Sequence, residues 1–277
     1  MVHHHGGRES RLLHRLLPAP SARLPDHRRG RGRPRRRRPA PPPRGPRVTT
    51  PTGTQPPLPG PAVVLVPGLG LDHRSWVGVC RILGPSASVV TLPSMGRRAP
   101  RGTDLHVEAQ AARVLDALPA TGEVVLVGHS ASGPVVLQAA SRSSRVVGLV
   151  LVGPVTDPGA RTWPRMLGQW ARTAVREQLW ETGTLLPQYR ATGPSSMLRG
   201  MDRVRAYRTE VAVAASSVPV VVVRGEKDRI AGASWGERLA VAAGTPLVTV
   251  PGAAHMVPLT HPEAVVAAVR RLAAPRR

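Results

Sequence analysis

The chain has 277 residues, 41% of them apolar, with 39 Lys and Arg against 16 Asp and Glu and a formal charge of +23. That length accommodates one large α/β domain or two small ones. A single cysteine, Cys80, excludes an internal disulfide, and no apolar run approaches the ~20 residues that span a bilayer. Leu12, Leu13, Leu16 and Leu17 are interrupted by His14 and Arg15, so they make no signal-peptide core. The expectation is a cytoplasmic protein with no membrane partner. Lys227 is the only lysine and Phe is absent, while Ala, Gly, Pro, Arg and Val dominate. These are the residues of GC-rich codons. A GC-rich bacterial genome is expected, and the high charge then says little about partners.

Residues 1–59 read as a disordered Arg/Pro-rich tail. The first sixty residues hold 14 arginines and only Glu9 and Asp26 as acids. Such a segment cannot bury enough apolar area to offset its chain entropy. No aromatic residue stands among the arginines, so base stacking is closed to the tail, and nucleic-acid binding by it is the disfavoured alternative. Val48 is also read as a candidate true start.

From Pro61 the texture changes. "AVVLVPG" (62–68) reads as a buried strand, "SWVGVCRIL" (75–83) as a helix, and "ASVVTLP" (87–93) as a strand. An amphipathic helix follows over 106–118, a strand over 123–128, a small-residue helix over 131–142 and a strand over 146–153. Later come a strand at 218–225, a helix at 232–243, a strand at 246–252 and a last helix at 262–273. Continuous Val/Leu strands alternating with helices predict an α/β fold, a mostly parallel sheet flanked by helices. Residues 60–153 and 218–277 supply that core. Residues 154–217 lack a strand and carry three tryptophans and both tyrosines. They read as a short helical cap over the sheet edge where ligands bind. Within it Trp163, Met166 and Trp170 are spaced to share one helix face, as core or as substrate pocket.

Chemistry concentrates where strands end. "GHSASG" (128–133) sits between a strand and a helix, the setting of a nucleophile elbow with Ser130 at its tip. A sharp turn demands small neighbours, and Gly128, Ala131, Ser132 and Gly133 supply them. A serine nucleophile needs a histidine base oriented by a carboxylate. Asp228 follows one strand and His255 the next, so a parallel sheet brings all three to one edge. Asp157, after the 146–153 strand, is the main rival acid and Glu226 a weaker one. His129 reads as a packing residue and His261 as the cap of the last helix. Asp72 and His73 read as structural and Cys80 as a small buried hydrophobe. No zinc-type ligand spacing, phosphate loop or complete dinucleotide turn is present, so neither metal nor cofactor is expected.

On "VLVPGLGLDHRSW", "GHSASG", "RGEKD" and "PGAAHMVPLTHPEAV", in that order, the chain resembles the α/β-hydrolase family of esterases and lipases over about residues 61–273. It departs at Pro67, where many members carry His, and at Ser132, where the second elbow Gly is usual. The resemblance implies an oxyanion hole from the backbone N–H groups of Leu69 and Ala131. It also implies ester hydrolysis through Ser130, His255 and Asp228, and the Trp- and Met-bearing cap suggests a small, largely apolar substrate. C–C bond cleavage, cofactor-free perhydrolysis and silent small-molecule binding are the alternatives that the same fold allows.

Overall fold

The structure, a computed structural model, describes residues 47–49, 60–174 and 179–273. The remainder of the expected tail lies outside the described residues. Strands β1 (Arg47–Thr49), β2 (Ala62–Val66), β3 (Ala87–Pro93), β4 (Gly96–Arg97), β5 (Val124–His129), β6 (Val146–Val152), β7 (Val220–Gly225) and β8 (Val248–Val250) form one eight-stranded sheet. Its order is β1-β3-β2-β5-β6-β7-β8, with β4 paired to β3 off that path. Among the described strands only β1 runs antiparallel to its neighbour. Composition assigns Arg47–Thr49 to the tail, yet these residues pair with β3, Val48 opposite Val90. The β-branched Val48 and Thr49 are masked by the surrounding Arg and Pro, and the open edge of β3 recruits them.

Helices α1 (Val77–Leu83) and α2 (Val107–Leu115) flank β3, and α3 (Gly133–Ala140) follows β5. Four helices separate β6 from β7: α4 (Trp163–Ala174), α5 (Leu179–Thr192), α6 (Pro194–Val204) and α7 (Thr209–Ala214). Then come α8 (Ala233–Ala243), the single turn α9 (Val257–Thr260) and α10 (Pro262–Ala273).

Strand periodicity of two sorts the core into two faces. Val64, Val66, Leu126, Leu149, Leu151 and Val222 point to one face, where α2, α3 and α8 cover them. Val63, Leu65, Val125, Val127, Val150 and Val223 point to the other, under α1 and α10. Both faces are dry, which is why these strands read as unbroken apolar runs. The chain order reverses between β2 and β5, because the connection through β3 goes one way and the rest of the sheet grows the other. At such a point the loops beyond the two carboxyl ends part and leave a crevice. β2 delivers Leu69 to it and β5 delivers Ser130.

Leu126→Ala, in a side chain with no exposure at the middle of this sheet, should cost roughly 2–5 kcal/mol. Val241→Ala, on the outer face of α8 and 82% exposed, should change stability by no more than about 0.5 kcal/mol. Urea denaturation of the two variants checks the pair.

Candidate active site

The chain leaves β5 through Gly128 and His129 and turns abruptly at Ser130, whose φ is 55°. A serine in that left-handed region carries strain of order 1–3 kcal/mol and persists only where its surroundings fix it. They do so by close approach. A Cβ on Gly68 would lie 2.9 Å from His129 Nδ1 and 3.1 Å from Ser130 Cβ. One on Gly128 would lie 2.7 Å from Val136 Cγ2. Ser130–Ser132 form a short 3-10 turn before α3 begins at Gly133, so the helix expected from 131 starts two residues later. Ser132, at the unusual elbow position, earns its hydroxyl. Its Oγ reaches the Val66 carbonyl at 2.8 Å and the His129 carbonyl at 2.9 Å. It ties the end of β2 to the elbow, which glycine could not do.

Asp228 and His255 arrive from β7 and β8. The Asp228 carboxylate is fully buried. Its Oδ1 accepts the N–H groups of Ile230 (2.8 Å) and Ala231 (3.0 Å), and its Oδ2 lies 2.7 Å from His255 Nδ1. Burial pushes the carboxyl up, but the His255 charge, the hydrogen bond to His255 and the two amides outweigh it, and the group titrates below its usual range. An ionised carboxylate only accepts, so in the neutral form of the ring Nδ1 holds the proton and Nε2 carries the lone pair. Gly153, with φ 55°, lies against this pair, and a Cβ there would meet His255 Cε1 at 3.0 Å and Asp228 Oδ2 at 3.4 Å.

One supporting side chain escaped the sequence reading, and a second, His129, packs as expected but also makes a hydrogen bond. Arg224 is buried at the end of β7. Its guanidinium donates to the carbonyls of Ala231 (2.9 Å), Asp228 (3.0 Å) and Glu226 (3.2 Å), and so shapes the loop that carries Asp228. An arginine inside a Val run directly before Gly-Glu-Lys-Asp was the available signal. His129 is more than packing. Its ring lies beside that of His255, tilted by 42° with centroids 4.9 Å apart, and Trp76 meets it edge-on at 6.3 Å. Its Nε2 lies 3.1 Å from the His255 carbonyl. A carbonyl only accepts, so Nε2 holds the proton and Nδ1 is left buried without a hydrogen-bond partner among the described residues. Burial above all, then the neighbouring His255, pushes its pKa down to about 3.

The rivals lie elsewhere. Asp157 caps a 3-10 turn through Gly159 N–H and pairs with Arg238 at 2.8 Å. Glu226 accepts from Gly252 N–H on the loop surface. Asp72 binds the Arg74 guanidinium, and its own N–H donates to Gln188 Oε1 at 2.7 Å. His73 is exposed. His261 precedes α10, with its carbonyl accepting from Ala264 N–H. Cys80 packs against the face under α1 and α10, and burial pushes its thiol up to about 11, which leaves it an inert hydrophobe. No group of three or more metal-ligating side chains occurs among the described residues.

Ser130, His129 and His255 open onto a cavity of about 380 Å³. Leu69 lines it beside them, and its N–H makes no hydrogen bond among the described residues, whereas the next two amides bind Ser94 and Gly68 carbonyls. Ala131 is buried directly after Ser130. Of the three residues on α4, only Trp170 lines this cavity. Met166 belongs to the core, and Trp163 faces a separate cleft beside Asp104, His106 and Arg203. Seven residues return to the same side of a helix but about 10 Å further along it, so Trp163 overshoots the cavity that Trp170 reaches.

His129 makes stability depend on pH. An unfolded histidine titrates near ~6.5 and the folded one near about 3. Between those values the unfolded chain binds a proton that the folded one refuses. Stability therefore falls as the pH drops through that window, by at most about 1.4 kcal/mol per unit. In His129→Asn this contribution is gone. Urea melts from pH 7 to pH 4 should show the wild type's advantage over the variant shrinking; a constant gap would show that His129 is not held neutral.

The model of the Alpha/beta hydrolase family matches residues 63–268. Over 241 residues the chain is 28% identical to polyketide synthase ThaQ of Burkholderia thailandensis, covering 76% of this chain and 12% of that much longer protein. A hydrolase from Oleispira antarctica, olei00960, superposes with a TM-score of 0.64 at 15% identity, over 81% of this chain and 93% of that one. An E-2-(acetamidomethylene)succinate hydrolase gives 0.61 at 19% identity, over 77% and 91%. A bromoperoxidase from Bacillus anthracis gives 0.60 at 15%, also over 77% and 91%. At these identities the structural likeness is one of fold. The family model spans most of the chain and all of the loops described above, and the chain belongs to the alpha/beta hydrolase family.

Proposed function

We propose that the protein is a serine hydrolase that cleaves a small, largely apolar ester, with Ser130 as nucleophile, His255 as base and Asp228 as its orienting acid. The observation that carries this reading is the buried 2.7 Å contact between Asp228 and His255 beside the cavity onto which strained Ser130 opens. His255 Nε2 takes the Ser130 hydroxyl proton as Oγ attacks the carbonyl carbon. The resulting imidazolium is stabilised by the Asp228 carboxylate. The oxyanion accepts from the N–H groups of Leu69 and Ala131, a stabilisation of roughly 3–4 kcal/mol per donor. His255 returns the proton to the leaving alkoxide as the C–O bond breaks. Water then attacks the acyl-serine as His255 takes its proton, and His255 hands that proton to Ser130 Oγ as the acyl C–O bond breaks and the acid leaves.

No resident metal or cofactor enters this scheme. The lone cysteine supports the reducing cytoplasm as its location, and among the described residues no helix is long and apolar enough to cross a membrane. The fold shared with a bromoperoxidase favours one second reading, in which hydrogen peroxide replaces water on the same acyl-serine.

Ser130→Ala and His255→Ala should each lower kcat/KM on short p-nitrophenyl esters by at least ~1,000-fold, with little further loss in the double variant, because the two act as a unit. Asp228→Asn should lose less than either, though more than ~100-fold. Asp157→Asn should stay within about twofold, since its ion pair with Arg238 is a surface one. Near-full turnover in the Ser130 or His255 variant, or a larger loss at Asp157 than at Asp228, would remove this assignment.

A further inference from the structure

The cavity beside Ser130 is unusually free of charge for so basic a chain. Of the 39 Lys and Arg in the sequence, none is among the described residues that line it, nor is any Asp or Glu. Its polar side chains besides Ser130 and the two histidines are the hydroxyl-bearing Thr173, Thr182 and Tyr189 and the indole of Trp170. Behind His255 stands the Asp228 carboxylate, bonded to its ring, and its negative charge disfavours an anion beside it.

The cavity also has two distinct ends. Leu71, Leu185 and Met256 form a small buried cluster of their own, packed with Tyr189 and Leu259, and close one side. Leu186 is 53% exposed and marks the mouth. Tyr189 and Met197 press on Gly70, where a Cβ would lie 2.6 Å and 2.8 Å from them, so they are fixed beside Leu69. At about 380 Å³ the space equals that of roughly a dozen waters in the liquid, at ~30 Å³ each. A methylene is about as large as a water, so the cavity takes roughly a dozen heavy atoms.

Resting on the hydrolase reading above, we infer that the substrate is a neutral medium-chain ester of roughly a dozen heavy atoms, its apolar body against Leu71, Leu185 and Met256, and that esters carrying a second carboxylate are excluded. An apolar chain gains by leaving water for this lining. A carboxylate there would lose its hydration and find no cation among the described lining residues to replace it.

The test separates binding from chemistry by using Ser130→Ala, which cannot turn substrate over. Its affinities for methyl octanoate and for monomethyl adipate, matched in heavy-atom count, are measured by calorimetry or by tryptophan fluorescence. The neutral ester should bind at least ~100-fold more tightly. Leu186→Arg, added at the exposed mouth where folding is not at stake, should narrow that ratio by about threefold or more by strengthening binding of the half-ester. Added salt should erase the gain. Equal affinities within about threefold, preference for the half-ester, or no detectable binding of either would overturn the inference. A wild-type enzyme that leaves methyl octanoate intact while the Ser130→Ala preference holds would sink the hydrolase reading and leave the cavity's selectivity standing.

Discussion

The site depends on one contact, the buried hydrogen bond between Asp228 and His255. A carboxylate with no exposure is costly unless it is hydrogen-bonded and paired, and here two amides bind one oxygen and an imidazole the other. The surrounding loops exist to hold that arrangement. They are bound to each other by Glu226 N–H to the Val250 carbonyl and Lys227 N–H to the Ala253 carbonyl. They pass so closely that a Cβ on Gly225 would fall 2.0 Å from the Ala254 carbonyl oxygen. Arg224 braces one loop from beneath. His129 braces the other by holding the His255 carbonyl. The elbow and the histidine loop are therefore coupled: the residue before Ser130 holds the backbone of His255.

The sheet explains why a strained serine faces this pair. Parallel strands send all their carboxyl ends to one edge, and the reversal between β2 and β5 opens that edge at its middle. Strain at Ser130 is sustained because glycine at 68 and 128 lets three backbones meet without Cβ atoms between them. Ser132 then fastens β2 to the turn. The helices between β6 and β7 add the apolar lining of the cavity, through Trp170, Leu185, Tyr189 and Met197.

Much of this was legible in the sequence, for physical reasons. Strands buried on both faces have a composition that little else shares, so β2, β3, β5, β6 and β7 were located to within a few residues. Ser130, Asp228 and His255 each stand just past a strand, and parallel topology does the rest. What escaped depends on how the chain folds back on itself. The carbonyls that Arg224 gathers lie two to seven residues ahead of it, and only the turn of that loop aims them at the guanidinium. The His129 contact to His255 spans 126 residues. Trp163, Met166 and Trp170 share helical spacing, but spacing gives direction around an axis and not position along it. Only Trp170 therefore reaches the cavity. The β-branched residues of β1 were hidden by the charge around them.

The central claim is that Ser130 is activated by the histidine beside it. Labelling with a fluorophosphonate and mapping the modified peptide tests it without any assumption about substrate. The account predicts one adduct, on Ser130, that is absent from Ser130→Ala and forms far more slowly in His255→Ala. A protein that takes no label, or takes it on another residue with Ser130→Ala labelled as before, would contradict it.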